Sequence, residues 1–409
     1  MSTGAARIVV VGIGADGWDG LTAGAREAIL AADEVVGSSR QLELLPDGAP
    51  PRRPWPSPLA PAVDELVGRA GGTVCVLASG DPMLHGVGAT LAARLDSSRL
   101  TVISHVSAFS LACARLGWPA AEVELVSTVG PPAEAVARAL QPGRRIVVYA
   151  TGRDGAARIA RVLCARGGGA SRFVVLEQLG GPGERILETT ADAFGQRDVD
   201  PLHAVAIEYV PDPGGARHSR VPGLPDEAYE SDGALTKWTV RAVTLAALAP
   251  MPGALLWDVG AGSGSIAIEW LRAEPTARAI AIESRADRLE RVRCNALSLG
   301  TPQLETVHGR APGVLASLAA PDAVFIGGGV TAAGLLDACW SALVPGGRIV
   351  ANAVTLEGEA VLTAARAHHG GRLVRLEVAH AEPLGTFRGW CPQRPVVQWL
   401  GDKPPEMAG

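Results

Sequence analysis

Three glycines at alternate positions, Gly260, Gly262 and Gly264, follow an acid, Asp258, in the stretch LLWDVGAGSGSIAIEW from Leu255 to Trp270. Leu255, Leu256, Trp257 and Val259 form a short apolar run that suits an inner parallel strand. The glycines permit a tight turn and let a ligand come close to the backbone. Ile266 and Trp270, one helical turn apart, share a face of the helix that follows. A glycine turn between strand and helix is the nucleotide-binding corner of an open α/β sheet. A dinucleotide fingerprint needs G-x-G-x-x-G, and the last of those positions is Ser265 here, which turns the reading away from NAD. Glu283 ends the next apolar run, AIAIES, at the spacing from which a carboxylate accepts hydrogen bonds from ribose hydroxyls.

Further acids and amides offer chemistry in the same half. Asn352, near the end of the run RIVANA, and Glu357, just after it, lie at the expected ligand edge and are candidate catalytic or substrate-contacting groups. Glu269, an acid one turn into the helix after the glycines, is a third.

Those groups need a scaffold. From Trp238 onward apolar runs alternate with helical patterns: Leu255 to Val259, Arg278 to Glu283, Glu305 to His308, Ala323 to Ile326 and Arg348 to Ala353. Later runs around Arg372 to Val378 and Pro395 to Leu400 bring the expectation to a seven-stranded, mostly parallel, doubly wound sheet. Helices are expected over Arg285 to Leu299 and Thr331 to Leu343. The first half opens on RIVVVGI, a buried strand running into Gly12, Gly14 and Gly17, with a helix expected over Leu21 to Ala32. Another strand, TVCVLA, ends in Ser79-Gly80-Asp81-Pro82-Met83, a small polar turn of the kind found at a sheet's carboxyl edge. Phe173 to Gln178 and Ala204 to Val210 suit a second, more antiparallel sheet. Residues 46–61 hold seven prolines and are expected to be a loop. The Pro- and Gly-rich stretch 211–225 lacks periodicity and is read as the linker between domains at 1–210 and 226–409.

Bulk properties narrow the function classes. A chain of 409 residues favours two domains. The net charge of −5 argues against a general nucleic-acid binder. The six cysteines stand apart from one another and from histidines, so neither a metal site nor a disulfide framework is expected. The chain shows no secretory signal and no apolar run long enough for a bilayer, so a cytoplasmic protein without membrane contact is expected.

VVVGIGADGWDGLT, LASGDPMLHGVG and SHVSAFSLACARLGWP resemble the tetrapyrrole methylase family, whose fold is two α/β subdomains around a cleft. From Thr236 onward, TKWTVRAV, LWDVGAGSGSIAIEW, NALSLG, FIGGG and VPGGRIVANAVTLE resemble the Rossmann-like, class I methyltransferase-decarboxylase module of cobalamin biosynthesis. One string departs: Ser127-Thr128-Val129-Gly130 stands where many relatives carry Ser-x-His-Gly-Arg, so no role is assigned there.

The resemblance implies two S-adenosylmethionine sites, one per domain, and a corrin-precursor substrate. It implies methylation of carbon 5 by the first domain. The second would methylate carbon 15 and remove the carbon 12 acetate as carbon dioxide. Gly80, Asp81 and Met83, with Ser107 and Ala108, match the first family's cofactor turn. Gly12 and Gly14 border its cleft and face substrate, and His85 is a candidate propionate contact. In the second domain Asp258, Gly260, Gly262, Gly264 and Glu283 hold the methionine and ribose ends, while Arg310 and Ala311 sit where such folds contact adenine. Thr236 and Lys237 match the entry motif and are candidate substrate contacts. The implied substrate carries several carboxylates, for which Arg153, Arg241, Arg388 and Arg394 are the arginines considered. Both families commonly assemble, so a homo-oligomer is expected. An RNA- or other small-molecule-directed methyltransferase fusion is the alternative.

Overall fold

The computed structural model of the chain describes residues 5–215, 217–233 and 235–406. The chain folds as two compact units. One comprises the residues up to Ala133 and those from Pro142 to the linker; the other comprises Glu134–Gln141 and the chain from Arg217 onward.

The first unit holds two sheets. Strands β1 (Arg7–Ile13), β2 (Glu34–Gly37), β3 (Arg52–Pro54), β4 (Thr73–Ser79) and β5 (Leu100–Ile103) pair in parallel in the order β3-β2-β4-β1-β5. Val9, Val11, Cys75 and Leu77 enter a core on one face, and Ile8, Val10, Val74 and Val76 enter another on the opposite face. Burial on both faces is why these strands read as unbroken apolar runs. The proline-rich stretch 46–61 is more than the expected loop, since it contributes β3 and opens the helix Ala60–Gly68. Pro54 is tolerated because β3 lies at the sheet edge, where one row of N–H groups needs no partner.

The second sheet contains β6 (Val123–Ser127), β7 (Arg145–Ala150), β8 (Arg172–Glu177), β9 (Arg185–Thr190) and β10 (His203–Glu208), in the order β6-β7-β10-β8-β9. Only β6 and β7 run parallel, matching the expected antiparallel character. β6 and β9, which the sequence reading missed, are edge strands with mostly half-exposed or exposed residues, so neither carries a strong apolar signal.

The second unit is built on β11 (Leu255–Val259), β12 (Arg278–Glu283), β13 (Glu305–His308), β14 (Ala323–Ile326), β15 (Arg348–Ala353), β16 (Arg372–Leu376) and a late strand, Val396–Asp402. Between them lies an exposed hairpin, β17 (Ala379–Leu384) and β18 (Phe387–Pro392), so the late strand is β19. The seven-stranded order is β13-β12-β11-β14-β15-β19-β16, in which six strands share one direction and β19 alone runs against them, between β15 and β16. Leu255, Trp257 and Val259 enter one core, while Leu256 meets Ile266 and Trp270 in the other. The order reverses between β11 and β14, the switch point at which open α/β sheets hold ligands.

Two helices are shorter than the periodicity suggests. Thr22 caps Ala23–Leu30 by accepting from the Ala25 N–H, and Gly334, at φ +71°, starts Leu335–Ala342. Each end of the linker is hydrogen-bonded to the unit it adjoins. The Asp212 N–H donates to the Gly167 carbonyl at its start, and the Gly223 and Leu224 N–H groups donate to Glu269 at its end.

Candidate functional site

In the second unit the carboxyl ends of β11, β12, β13 and β14 enclose a cavity. Gly260, Glu283, Arg310 and Ala311 line it together with Ser284, Arg288, Gly309 and Gly328. Gly260 adopts φ +73°, and an added Cβ would lie 3.0–3.2 Å from Gly328 backbone atoms, so the turn requires glycine twice over. Its N–H donates to the Ile282 carbonyl at 2.9 Å, which ties the turn to β12.

Glu283 is buried, and one carboxylate oxygen accepts from the Gly262 N–H at 3.0 Å. The other accepts from the N–H groups of Ser284 at 2.8 Å and Arg285 at 3.0 Å. These donors hold the carboxylate still at the cavity wall. A carboxylate oxygen has more than one lone pair, so acceptor capacity remains for ligand hydroxyls. A backbone cradle without side chains and an aligned acid offer the close approach and the acceptor that an S-adenosyl group requires.

Asp258 and Gly264 stand behind this wall. One Asp258 oxygen accepts from the Ala267 N–H at 3.1 Å and the other has no partner. Burial pushes its pKa up to about 7, and the Glu283 charge adds to the shift. Gly264, at φ +78°, starts the helix Ser265–Ala273, and a Cβ there would collide with Val292. Both shape the turn from beneath.

Four sequence candidates are used internally and stand apart from the cavity lining. Glu269 is almost fully buried and accepts from Arg241 Nε at 2.6 Å, Tyr229 OH at 2.9 Å, Gly223 N at 2.5 Å and Leu224 N at 3.1 Å. Its lone pairs are spent anchoring the segment from Gly223 to Arg241, so the expected catalytic role gives way to a structural one. Arg241, considered for substrate carboxylates, is fully buried and binds Glu269, Asp226 and the carbonyls of Leu224 and Thr236. Asn352 donates to Thr244 Oγ1 at 3.1 Å and accepts from Gln398 Nε2 at 2.9 Å, which ties β15 to β19. Lys237 pairs with Asp226 at 3.4 Å. Glu357 is exposed in the first turn of Leu356–His369, and Arg153, Arg388 and Arg394 are exposed as well.

In the first unit the ends of β1, β4 and β5 converge. A Cβ on Gly12 would collide with the Gly80 carbonyl and the backbone of His105, and one on Gly80 would lie 3.2 Å from Ser107 Cα. Gly80 adopts φ +59° and its N–H donates to the Ile13 carbonyl at 3.0 Å. Asp81 accepts from the Met83 N–H at 2.8 Å, a local turn that holds the loop. Ser107 caps the helix Ala108–Leu116 by accepting from the Ser110 N–H at 3.0 Å. The structure therefore gathers Gly12, Gly80, Ser107 and Ala108 closely. Gly14 lies beside His105, whose Nε2 is 3.3 Å from Asp16 Oδ1; neither of that pair was singled out from the sequence. His85 is exposed at φ +56°, edge-on to Tyr149 at 6.3 Å. Met83 and Val106 remain exposed.

Sequence reasoning also missed Ser284, Arg288, Gly309 and Gly328 of the cavity. Gly309 and Gly328 had a visible signal, since each follows the end of an apolar run. Arg288 had none, because one arginine on an exposed helix face looks like any other.

Known proteins carry the same organisation. Residues 7–194 match the tetrapyrrole (corrin/porphyrin) methylases, and residues 227–403 match the precorrin methyltransferase domain. A precorrin-6Y C(5,15)-methyltransferase [decarboxylating] from Sinorhizobium sp is 45% identical over 97% of this chain and 96% of its own length. A cobalt-precorrin-7 C(5)-methyltransferase from Salmonella typhimurium is 31% identical over 44% of this chain and 88% of its own length. A probable cobalt-precorrin-6B C(15)-methyltransferase (decarboxylating) from Saccharolobus solfataricus is 33% identical over 34% of this chain and 72% of its own length. Fold and matched families together define a two-module methyltransferase, a class that uses S-adenosylmethionine. The chain belongs to the precorrin-6Y C(5,15)-methyltransferase (decarboxylating) family.

Among the described residues no helix is long and apolar enough to cross a membrane, and no group of three or more His, Cys, Asp or Glu side chains could hold a metal ion.

Proposed function

We propose that this chain methylates precorrin-6Y at carbons 5 and 15 and removes the carbon 12 acetate as carbon dioxide, giving precorrin-8X. The observation that carries this reading is an end-to-end match at 45% identity to a curated relative of that activity, spanning both units. Each unit has its own S-adenosylmethionine site in this reading, at the turn from Gly80 to Met83 with Ser107 and Ala108, and at the Gly260–Glu283 cavity. The first unit serves carbon 5, and the second serves carbon 15 and the decarboxylation. Two shorter relatives support that division, since one is named for carbon 5 alone and the other for carbon 15 with decarboxylation.

The geometry suits the chemistry. S-adenosylmethionine supplies an electrophilic methyl group when bound. The chain's own contribution is alignment, because an in-line displacement gains most of its acceleration from holding the reacting atoms in register. Glycine turns let a cofactor lie against rigid backbone, and Glu283 fixes the orientation of the ribose. The macrocycle is electron-rich at the methylated carbons. It also serves as the electron sink when the acetate loses carbon dioxide, so the protein needs only to desolvate that acetate and hold its breaking bond across the ring plane.

Incubation of the full chain with precorrin-6Y and isotopically labelled S-adenosylmethionine, followed by mass spectrometry, tests the reading. The expected product has gained two labelled methyl groups and lost one carbon dioxide. An unchanged mass rejects it.

A further inference from the structure

Arg40 is a half-buried guanidinium at the carboxyl edge of the first sheet with no carboxylate bound to it. It lies in the short helix Ser39–Glu43 and turns inward, where Nη2 donates to Ser79 Oγ at 2.9 Å. Ser79 is the last residue of β4, pairs in register with Ile13, and precedes Gly80. Arg40 therefore reaches the edge formed by Gly12, Gly14 and Gly80.

Several other arginines of this unit meet carboxylates. Arg53 meets Glu34 at 2.9 Å, Arg115 meets Glu184 at 2.6 Å and Arg172 meets Glu188 at 2.7 Å. Among the described residues no carboxylate comes within ion-pairing distance of Arg40. The charge that acts on it is Asp200, in the turn leading to β10 of the second sheet. Both oxygens of Asp200 are already engaged, one by the Leu202 N–H at 2.7 Å and the other by Gln178 Nε2 at 3.0 Å. Arg40 thus lies toward the second sheet with one of its five N–H donors used and its charge only partly offset. Burial pulls its pKa below the ordinary arginine value, which marks a desolvated cation. A desolvated, unpaired guanidinium is costly, and a carboxylate accepting two parallel N–H bonds relieves that cost.

We propose that Arg40, with Ser79 beside it, forms a subsite that binds one peripheral carboxylate of the corrin precursor during methylation of carbon 5. The inference rests on the assignment of carbon 5 to this unit. Arg40 recognises the substrate and sets its orientation; it takes no part in breaking or making bonds. Gln41 Nε2 also donates to Ser79 Oγ, at 3.0 Å, so the edge of β4 keeps a partner when Arg40 is removed.

The test uses the full chain with precorrin-6Y and with a precursor amidated on its peripheral carboxylates, following carbon 5 methylation by mass spectrometry. Arg40→Ala should raise KM for the acid substrate ten- to a hundredfold, about 1.4–2.8 kcal/mol, with kcat near wild type. Arg40→Lys should recover part of the loss, since it keeps the charge and loses the fork. On the amidated precursor Arg40→Ala and wild type should have similar KM. Binding of S-adenosylhomocysteine by calorimetry should be unchanged. If Arg40→Ala lowers the unfolding midpoint, Arg40→Lys carries the comparison, with KM still raised several-fold. A KM within twofold of wild type for these variants overturns the subsite, as does an equal defect on the amidated precursor. Wild type that adds a methyl at carbon 15 but none at carbon 5 rejects the assignment of carbon 5 to this unit, and the subsite with it.

Discussion

The two glycine turns of this chain solve one problem by different means. In the second unit the turn after β11 is braced from behind by a sealed acid, Asp258, and fronted by a fixed one, Glu283. In the first unit the turn after β4 is braced mainly by close backbone, which leaves no free room for a Cβ on Gly12 or Gly80. Its acid, Asp81, is half-exposed and closes a local turn. A glycine turn can thus be fixed by an internal electrostatic frame or by steric fit of backbone. The first arrangement makes the second unit sensitive to charge, while the first unit should be sensitive to volume.

The largest expected effect is at the buried hub of the second unit. Glu269→Ala leaves Arg241 sealed without its carboxylate and should cost about 3–5 kcal/mol. Denaturant titration should show the loss in the transition of the second unit, with the first unit's transition in place. A loss shared equally by both transitions would contradict the separateness of the two frames.

Asp258 comes next. Its ordinary value is 3.8 and its folded value about 7, so folding favours the neutral form. The group imposes no penalty below about pH 4; the penalty grows as pH rises toward about 7 and is constant above it, reaching on the order of 4 kcal/mol. Asp258→Asn should therefore gain stability relative to wild type as pH is raised from 4 to 8. Parallel stability curves for the two proteins would show that Asp258 is not held neutral.

A paired exchange probes the turns themselves. Gly260→Ala and Gly80→Ala each force an alanine into left-handed backbone against packed neighbours, at a cost of about 1–3 kcal/mol. Gly260→Ala should suppress methylation of carbon 15 and loss of carbon dioxide, leaving methylation of carbon 5 on a carbon-15-methylated precursor. Gly80→Ala should do the reverse, and product masses distinguish the cases. Loss of both activities from either exchange would break the assignment of one site to each unit.

The smallest effects concern the amide within β15 and the acid that follows the strand. Asn352→Ala should cost about 1–2 kcal/mol through its lost bonds to Thr244 and Gln398. Glu357→Gln should leave stability within about 0.5 kcal/mol. A large fall in activity with Glu357→Gln at unchanged stability would make it a substrate contact.

Where a residue's role is local, the sequence was sufficient. Apolar runs on both faces of β1, β4, β11 and β12 announced buried parallel strands, because burial on two sides leaves no alternation to obscure them. The glycines at Gly80 and Gly260 announced turns, because φ near +60° or +70° excludes most other residues. The place of Glu283 at the end of β12 was legible from its spacing, since the length of one helical crossover sets it. Edge elements were not legible: β3, β6, β9 and the β17–β18 hairpin bury too little to impose a pattern. Nor were the fates of charged side chains. Glu269, Asn352 and Arg241 looked like reagents, and only packing revealed that their hydrogen bonds are consumed at home. Nothing in the sequence set Arg40 apart, and only packing revealed it as half-buried and, among the described residues, without a carboxylate partner. Spacing along a chain prescribes backbone shape, whereas whether a polar group is free to meet a ligand depends on every neighbour that folding brings to it.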